Sequence, residues 1–288
     1  VTAADTEPPH RPAPEDSGGG PAGRWTLFAD GVRLALTTLT VTPMRVGVVD
    51  RRTAAVAMSV APAIGIPLGA ILAAVLMVLH AAGAPPLLAA AVTLGTGTLL
   101  TRALHLDGLA DTVDALGSYR SGEAGLAIMK KPDIGPFGVA TLTLALLTQA
   151  AALTALPGTH ALALVTSVIT ALTTGRLAIS WACHRSIPAA GPTGLGALVA
   201  ATVPAPVLAV TTAATIALSA PAVPARPWQG PLAVILALAA TLLLLRQCRR
   251  RFGGHRPGTS RADHRQGRQL WSVVRRVRGS HVWAGAFR

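Results

Sequence analysis

Charge is scarce in this chain. Only 13% of its 288 residues are charged, and just twelve are Asp or Glu, against 25 Lys and Arg. Hydrophobic residues make up 51%, and mean hydropathy is +0.52. A chain of this length and apolarity is not an ordinary soluble domain, so a polytopic membrane protein is expected. Cysteine is also nearly absent. Cys183 and Cys248 are the only two, which leaves no disulfide framework and no C-x-x-C metal pair, and redox chemistry is not expected. The formal net charge of +13 invites a nucleic-acid reading, but its distribution argues against one. Twelve arginines and one acid, Asp263, lie from Arg246 onward, so +11 belongs to the tail and only +2 to residues 1–245.

Residues 1–24 are rich in Pro, Gly and Ala and lack the apolar content to build a core. They show no basic segment followed by an apolar run, so no secretory signal is expected there. Over 25–42, Trp25, Phe28, Val32, Leu36 and Leu39 recur every three or four residues. This stripe predicts a helix lying on the membrane surface or packed against the bundle. Six spans are then expected near 54–79, 86–104, 138–156, 161–183, 196–218 and 231–246, each close to the length that crosses a bilayer. Pro62 and Pro67 should kink the first, and Pro204 and Pro206 the fifth. The fold expected is an all-α bundle, with residues 25–252 as the transmembrane domain and 253–288 as a basic tail.

Lys and Arg are retained on the cytoplasmic side of membrane proteins. Arg45, Arg51, Arg52, Arg102, Arg120, Lys130, Lys131, Arg185, Arg246 and Arg249 to Arg251 all fall at alternate connections, whereas the intervening ones carry only Arg226. Both termini are therefore expected on the cytoplasmic side, with the acidic stretch opening there too.

Three of the few acids fall within eight residues, at Asp107, Asp111 and Asp114. The spacing i, i+4, i+7 puts them within about 60° of arc on a helix. Like charges this close call for a cation between them, and oxygen ligands suit a hard ion such as Mg²⁺. A solvated acidic face would show the same bare spacing. Near them in the chain, Lys130 and Lys131 precede a Gly- and Pro-punctuated turn, Asp133 to Gly138, that could approach a phosphate or simply anchor the topology. Arg176 lies inside the fourth expected span and needs an acid, a carbonyl or a ligand phosphate there. The aspartate face is the partner expected for it.

The order H-L-D-G-L-A-D-T-x-D at 105–114, I-M-K and I-G-x-F-G within 128–138, G-R at 175–176 and P-x₅-G-L-G at 188–196 resembles cobalamin synthase, the adenosylcobinamide-GDP ribazoletransferase family. The resemblance covers roughly residues 28–254. It implies a Mg²⁺-dependent enzyme of the inner membrane that joins adenosylcobinamide-GDP to α-ribazole, or its 5′-phosphate, with release of GMP. It further implies that Asp107, Asp111 and Asp114 hold the metal and act in catalysis, and that His105, Lys130, Asp133 and Arg176 bind substrate. Two other readings of the aspartates stay open from the residues themselves: a transporter with an ion-binding acidic cluster, and a phosphotransferase of the CDP-alcohol type.

The chain departs from the family pattern in three places. Lys131-Pro132 stand where the pattern has Asp-Ser, and Gly191 stands where the pattern P-x-A-R has Arg. After Gly254 the T-G-D-x-x-G-A pattern and its final apolar helix give way to an Arg-rich polar stretch. A shifted reading frame near Gly254 is one expectation for that change; a basic tail that binds anionic lipid is the other.

Overall fold

A computed structural model of the chain describes residues 21–47, 49–156, 160–190 and 194–253. The readings made for residues 1–20, for Gly191 and for 254–288, including the shifted frame, lie outside them. Ten α-helices follow in order: α1 Pro21–Leu39, α2 Arg51–Ala81, α3 Pro86–Leu100, α4 Leu104–Gly117, α5 Gly122–Ile128, α6 Pro136–Thr154, α7 Ala161–Ala182, α8 Leu195–Val199, α9 Ala205–Ser219 and α10 Gln229–Phe252. No strand is formed among the described residues. Five segments, α2, α6, α7, α10 and α9 with the 3₁₀ turn Ala220–Ala222 that continues it, are long and apolar enough to cross a membrane, and α3 with α4 makes a sixth candidate.

The centre of the bundle is the α2·α7 pair. Gly65 and Gly69 allow it: a Cβ on either would lie 2.5 Å from the backbone Cα of Thr173 or Ile169. Small residues let helix backbones approach where lipid offers no hydrophobic drive for association. The Ser180 hydroxyl ties the two helices by donating to the Met58 carbonyl at 2.6 Å. Helix α1 packs on the same core through Ala35 and Leu39 against Ala57, Met58 and Ala61; of its expected stripe, Leu36 and Leu39 meet that core, whereas Trp25 and Phe28 stay exposed. On the other flank, Leu177 packs with Val234 and Leu238 of α10. Leu144, Leu147 and Leu243 stay exposed on α6 and α10, as expected for faces turned to lipid.

Pro204 and Pro206 behave differently from their expected role, whereas Pro62 and Pro67 stay inside a helix. Helix α2 runs unbroken through Pro62 and Pro67. The fifth span instead begins later than expected, because Pro204 is the N-cap and Pro206 stands in the first turn of α9. Proline is tolerated there, since first-turn N–H groups have no carbonyl to meet inside the helix. The second span also ends early. Arg102 (φ 52°) and Ala103 (φ 55°) both take the left-handed conformation, and α4 leaves α3 at 90°. Helix α4 thus turns away from the line of α3 and packs against the N-terminal end of α6.

Most of the connections that carry the basic residues meet at this end. Arg102 donates to the Thr37 carbonyl at 2.6 Å, and Arg51 donates to the carbonyls of Ala197 and Ala200 at 2.6 and 2.9 Å. Arg251 stands 5.9 Å from the Tyr119 ring centroid. The ends of α1, α3 and α10, the start of α2 and the short helix α8 are therefore gathered on one side.

Candidate functional site

The acidic helix is α4. Asp107 is exposed in its first turn, Asp111 is half-buried one turn on, and Asp114 is half-buried in the last. Asp111 is held above the ordinary carboxylate range, first by desolvation and then by the charges of Asp107 and Asp114. The three acids do share a face. They do not, however, form a closed ligand set: among the described residues no three His, Cys, Asp or Glu side chains are placed to hold a metal ion.

Asp114 is engaged elsewhere. Its two carboxylate oxygens accept from the backbone N–H groups of Gly135 at 2.7 Å and Gly138 at 2.9 Å. Helix α6 has Gly135 as its N-cap and no side chain of its own to satisfy its first turn. Asp114, 21 residues upstream, supplies that cap, and its negative charge sits at the positive end of the helix dipole. The closeness explains both glycines, because a Cβ at Gly135 or Gly138 would run into the Asp114 carboxylate. These two N–H groups therefore meet a carboxylate rather than standing free for a phosphate.

The remaining carboxylates fit a hard divalent ion in the way Mg²⁺ is usually bound, by one or two carboxylates with water and substrate phosphates completing the shell. Asp107 and Asp111 have no hydrogen-bond donor or cation engaging them among the described residues, and both stand at the open end of the bundle.

Arg176 is buried, at 6% exposure, yet makes no ion pair with any of the three aspartates. Its Nη1 reaches the Leu172 carbonyl at only 3.5 Å, and its Nε has no partner. It faces instead a cavity of about 540 Å³ between α2, α3, α6 and α7, whose rim includes His105. Both ring nitrogens of His105 are buried without a partner, and the charge of Arg176 acts on that ring. The cavity itself was not foreseen. Its polar lining residues Gln149 and Ser167 lie in expected spans, and a polar side chain inside a span was the available signal. Lys130 and Asp133 are exposed on the α5–α6 loop, which the Asp114 cap holds beside α4.

The model of the cobalamin-5-phosphate synthase family matches residues 31–256. The chain belongs to that family. Three relatives named adenosylcobinamide-GDP ribazoletransferase cover most of it. The protein from Frankia casuarinae is 38% identical over 239 residues, 77% of this chain and 85% of the relative. That from a Nocardioides species is 39% identical over 226 residues, 78% and 89% of the two chains. The Corynebacterium efficiens protein is 37% identical over 234 residues, 79% and 84%. No solved structure matches this chain.

Proposed function

We propose that this chain transfers α-ribazole, or its 5′-phosphate, onto adenosylcobinamide-GDP with release of GMP, at the cytoplasmic face of the inner membrane. The observation that carries the reading is identity of 37–39% to relatives so named over more than three-quarters of the chain. The acidic helix at the basic end of the bundle is what such a reaction needs.

The step is a phosphoryl substitution. A ribose hydroxyl oxygen bonds to the phosphorus on the cobinamide side of the diphosphate, and the bond from that phosphorus to the bridging oxygen breaks. GMP departs with the bridging oxygen, and the hydroxyl proton passes to a base or to water. Catalysis of this kind rests on positioning and charge stabilisation. Asp107 and Asp111 would hold Mg²⁺, which when bound neutralises the diphosphate and the departing GMP. Asp114 fixes the start of α6 and so sets where the loop bearing Lys130 and Asp133 meets the substrate. Lys130 offers an exposed cation for a phosphate. The buried Arg176, lacking an acid, offers a second cationic group to the substrate.

The test is to incubate membranes containing the chain with adenosylcobinamide-GDP, α-ribazole and Mg²⁺, and to measure GMP and the corrinoid product together. Equal amounts of both are expected, abolished by EDTA and restored by Mg²⁺. Asp111→Asn should lower turnover by orders of magnitude while inserting normally. No GMP release would sink the transferase reading, and release that survives EDTA would remove the metal from it.

A further inference from the structure

The cavity between α2, α3, α6 and α7 has features that the acidic helix does not use. Its walls are largely apolar, with Leu72, Leu94, Leu146, Leu153, Val168 and Leu172 among them. Polar groups sit towards its two ends. His105 and Arg176 lie at the end next to α4, and Gln149 and Ser167 lie deeper. Ser167 and Arg176 are nine residues apart on α7, so the cavity extends about 13 Å along that helix. A nine-tenths-buried arginine facing such a space with an unpartnered Nε, beside a histidine with both nitrogens unpartnered, leaves hydrogen-bonding capacity for a ligand to fill. Its volume of about 540 Å³ also lies within the range of small-molecule sites.

We infer that this cavity receives the acceptor nucleoside, with the flat apolar bicyclic base between α3, α6 and α7 and the ribose at the His105 and Arg176 end. The inference rests on the transferase reading and specifies which substrate enters the bundle. A corrinoid is far too large for the space. A GDP group would bring several negative charges into apolar walls that offer one cation, at a large desolvation cost. The dimethylbenzimidazole of α-ribazole is uncharged and flat, and its sugar hydroxyls suit the unpartnered groups at the rim. This pose leaves the ribose beside Leu106 and next in sequence to Asp107, where its hydroxyl can meet a diphosphate held outside.

Gly175 provides the test. It lines the cavity, and a Cβ there meets no atom within 4 Å, so Gly175→Leu fills the space without striking backbone. Gly95 on α3 has equally open space but does not line the cavity, so Gly95→Leu is the control. The full chain in lipid nanodiscs is titrated with α-ribazole and, separately, with its 5′-phosphate, following the fluorescence of the benzimidazole. Gly175→Leu should weaken binding of both about tenfold or more, a loss of one well-filled contact surface. Gly95→Leu should leave both unchanged, and KM for adenosylcobinamide-GDP should not move in either variant. Ala171→Leu, one turn away on the same wall, gives a second reading if Gly175→Leu yields little folded protein. Unchanged nucleoside binding in the filled variants, as for a lipid-filled cavity, overturns the assignment, and so does a rise confined to the KM for adenosylcobinamide-GDP. Nucleoside binding that is lost on filling, in a chain that releases no GMP, upholds the cavity and refutes the transferase reading alone.

Discussion

Asp114 separates two roles that the sequence spacing merges. As a third metal ligand it would matter for Mg²⁺ affinity and little for folding. As the cap of α6 it matters chiefly for folding. Its carboxylate accepts two backbone N–H groups, at 2.7 and 2.9 Å. Each hydrogen bond to a charged group contributes about 1.5–3 kcal/mol, and loss of a helix cap alone costs about 0.5–2 kcal/mol. Asp114 is only half-buried, so water can replace part of what is lost. Asp114→Ala should therefore cost about 2–4 kcal/mol. Asp114→Asn keeps one acceptor but turns an NH₂ towards the other N–H, and should cost about half as much. The assay pairs thermal unfolding of the detergent-solubilised protein with a Mg²⁺ titration of GMP release. Asp114→Asn should lower the melting temperature and leave the Mg²⁺ midpoint of the surviving activity unchanged. Asp107→Asn should do the reverse. Gly138→Ala, whose Cβ would push the carboxylate away, should reproduce the stability loss with all three acids present. An Asp114→Asn protein of unaltered melting temperature but raised Mg²⁺ requirement would refute the cap argument.

Further outcomes follow from other contacts. Asp50 caps α2 by accepting from the Thr53 N–H at 2.8 Å, and its bonds to Thr53 hold its carboxyl below the ordinary 3.8. A depressed folded-state pKa stabilises above the unfolded value and is lost as pH falls through the folded one. Asp50→Ala should thus cost about 1 kcal/mol at neutral pH, and melting curves of the two proteins should converge well below pH 3.8. At Gly65 an added methyl would lie 2.5 Å from the Thr173 Cα, so Gly65→Ala should part α2 from α7 and cost about 1–3 kcal/mol. Gly95→Ala, facing open space, should be neutral or slightly stabilising in the same melts. For topology, with Cys183 and Cys248 replaced, cysteines at Gly122 and Gly194 should react with an impermeant thiol reagent only from the cytoplasmic side, and one at Ala82 only from outside. Labelling of Gly122→Cys from outside would invert the orientation.

The spans were legible because a helix must carry its apolar run for the full depth of a bilayer, and α2, α6 and α7 begin and end within a few residues of where composition changes, while α10 continues past its expected end at 246 to Phe252. What was not legible depended on contacts between distant parts of the chain. The break after α3 has no Gly or Pro to announce it; it is made by Arg102 and Ala103 in the left-handed conformation, with the Arg102 guanidinium held on the Thr37 carbonyl. Proline was ambiguous for a local reason. The same residue kinks a helix interior and starts a helix, and only the packing of α9 decides that Pro204 and Pro206 start one. The acidic face shows the same division within one motif. Spacing of four and three residues placed Asp107, Asp111 and Asp114 together on α4, but which partner each carboxylate takes depends on what packs against that face. Gly135 and Gly138 bring two N–H groups to Asp114, and a pattern of acids along one helix carries no information about them. Arg176 follows the same logic in reverse. Its place inside a span marked it as needing a partner, and the acids were the obvious choice. The turn of 90° at the end of α3 swings α4 so that His105 and Leu106, rather than the aspartates, join Arg176 in lining the cavity. The arginine is left facing a largely apolar cavity, with His105 rather than a carboxylate beside it.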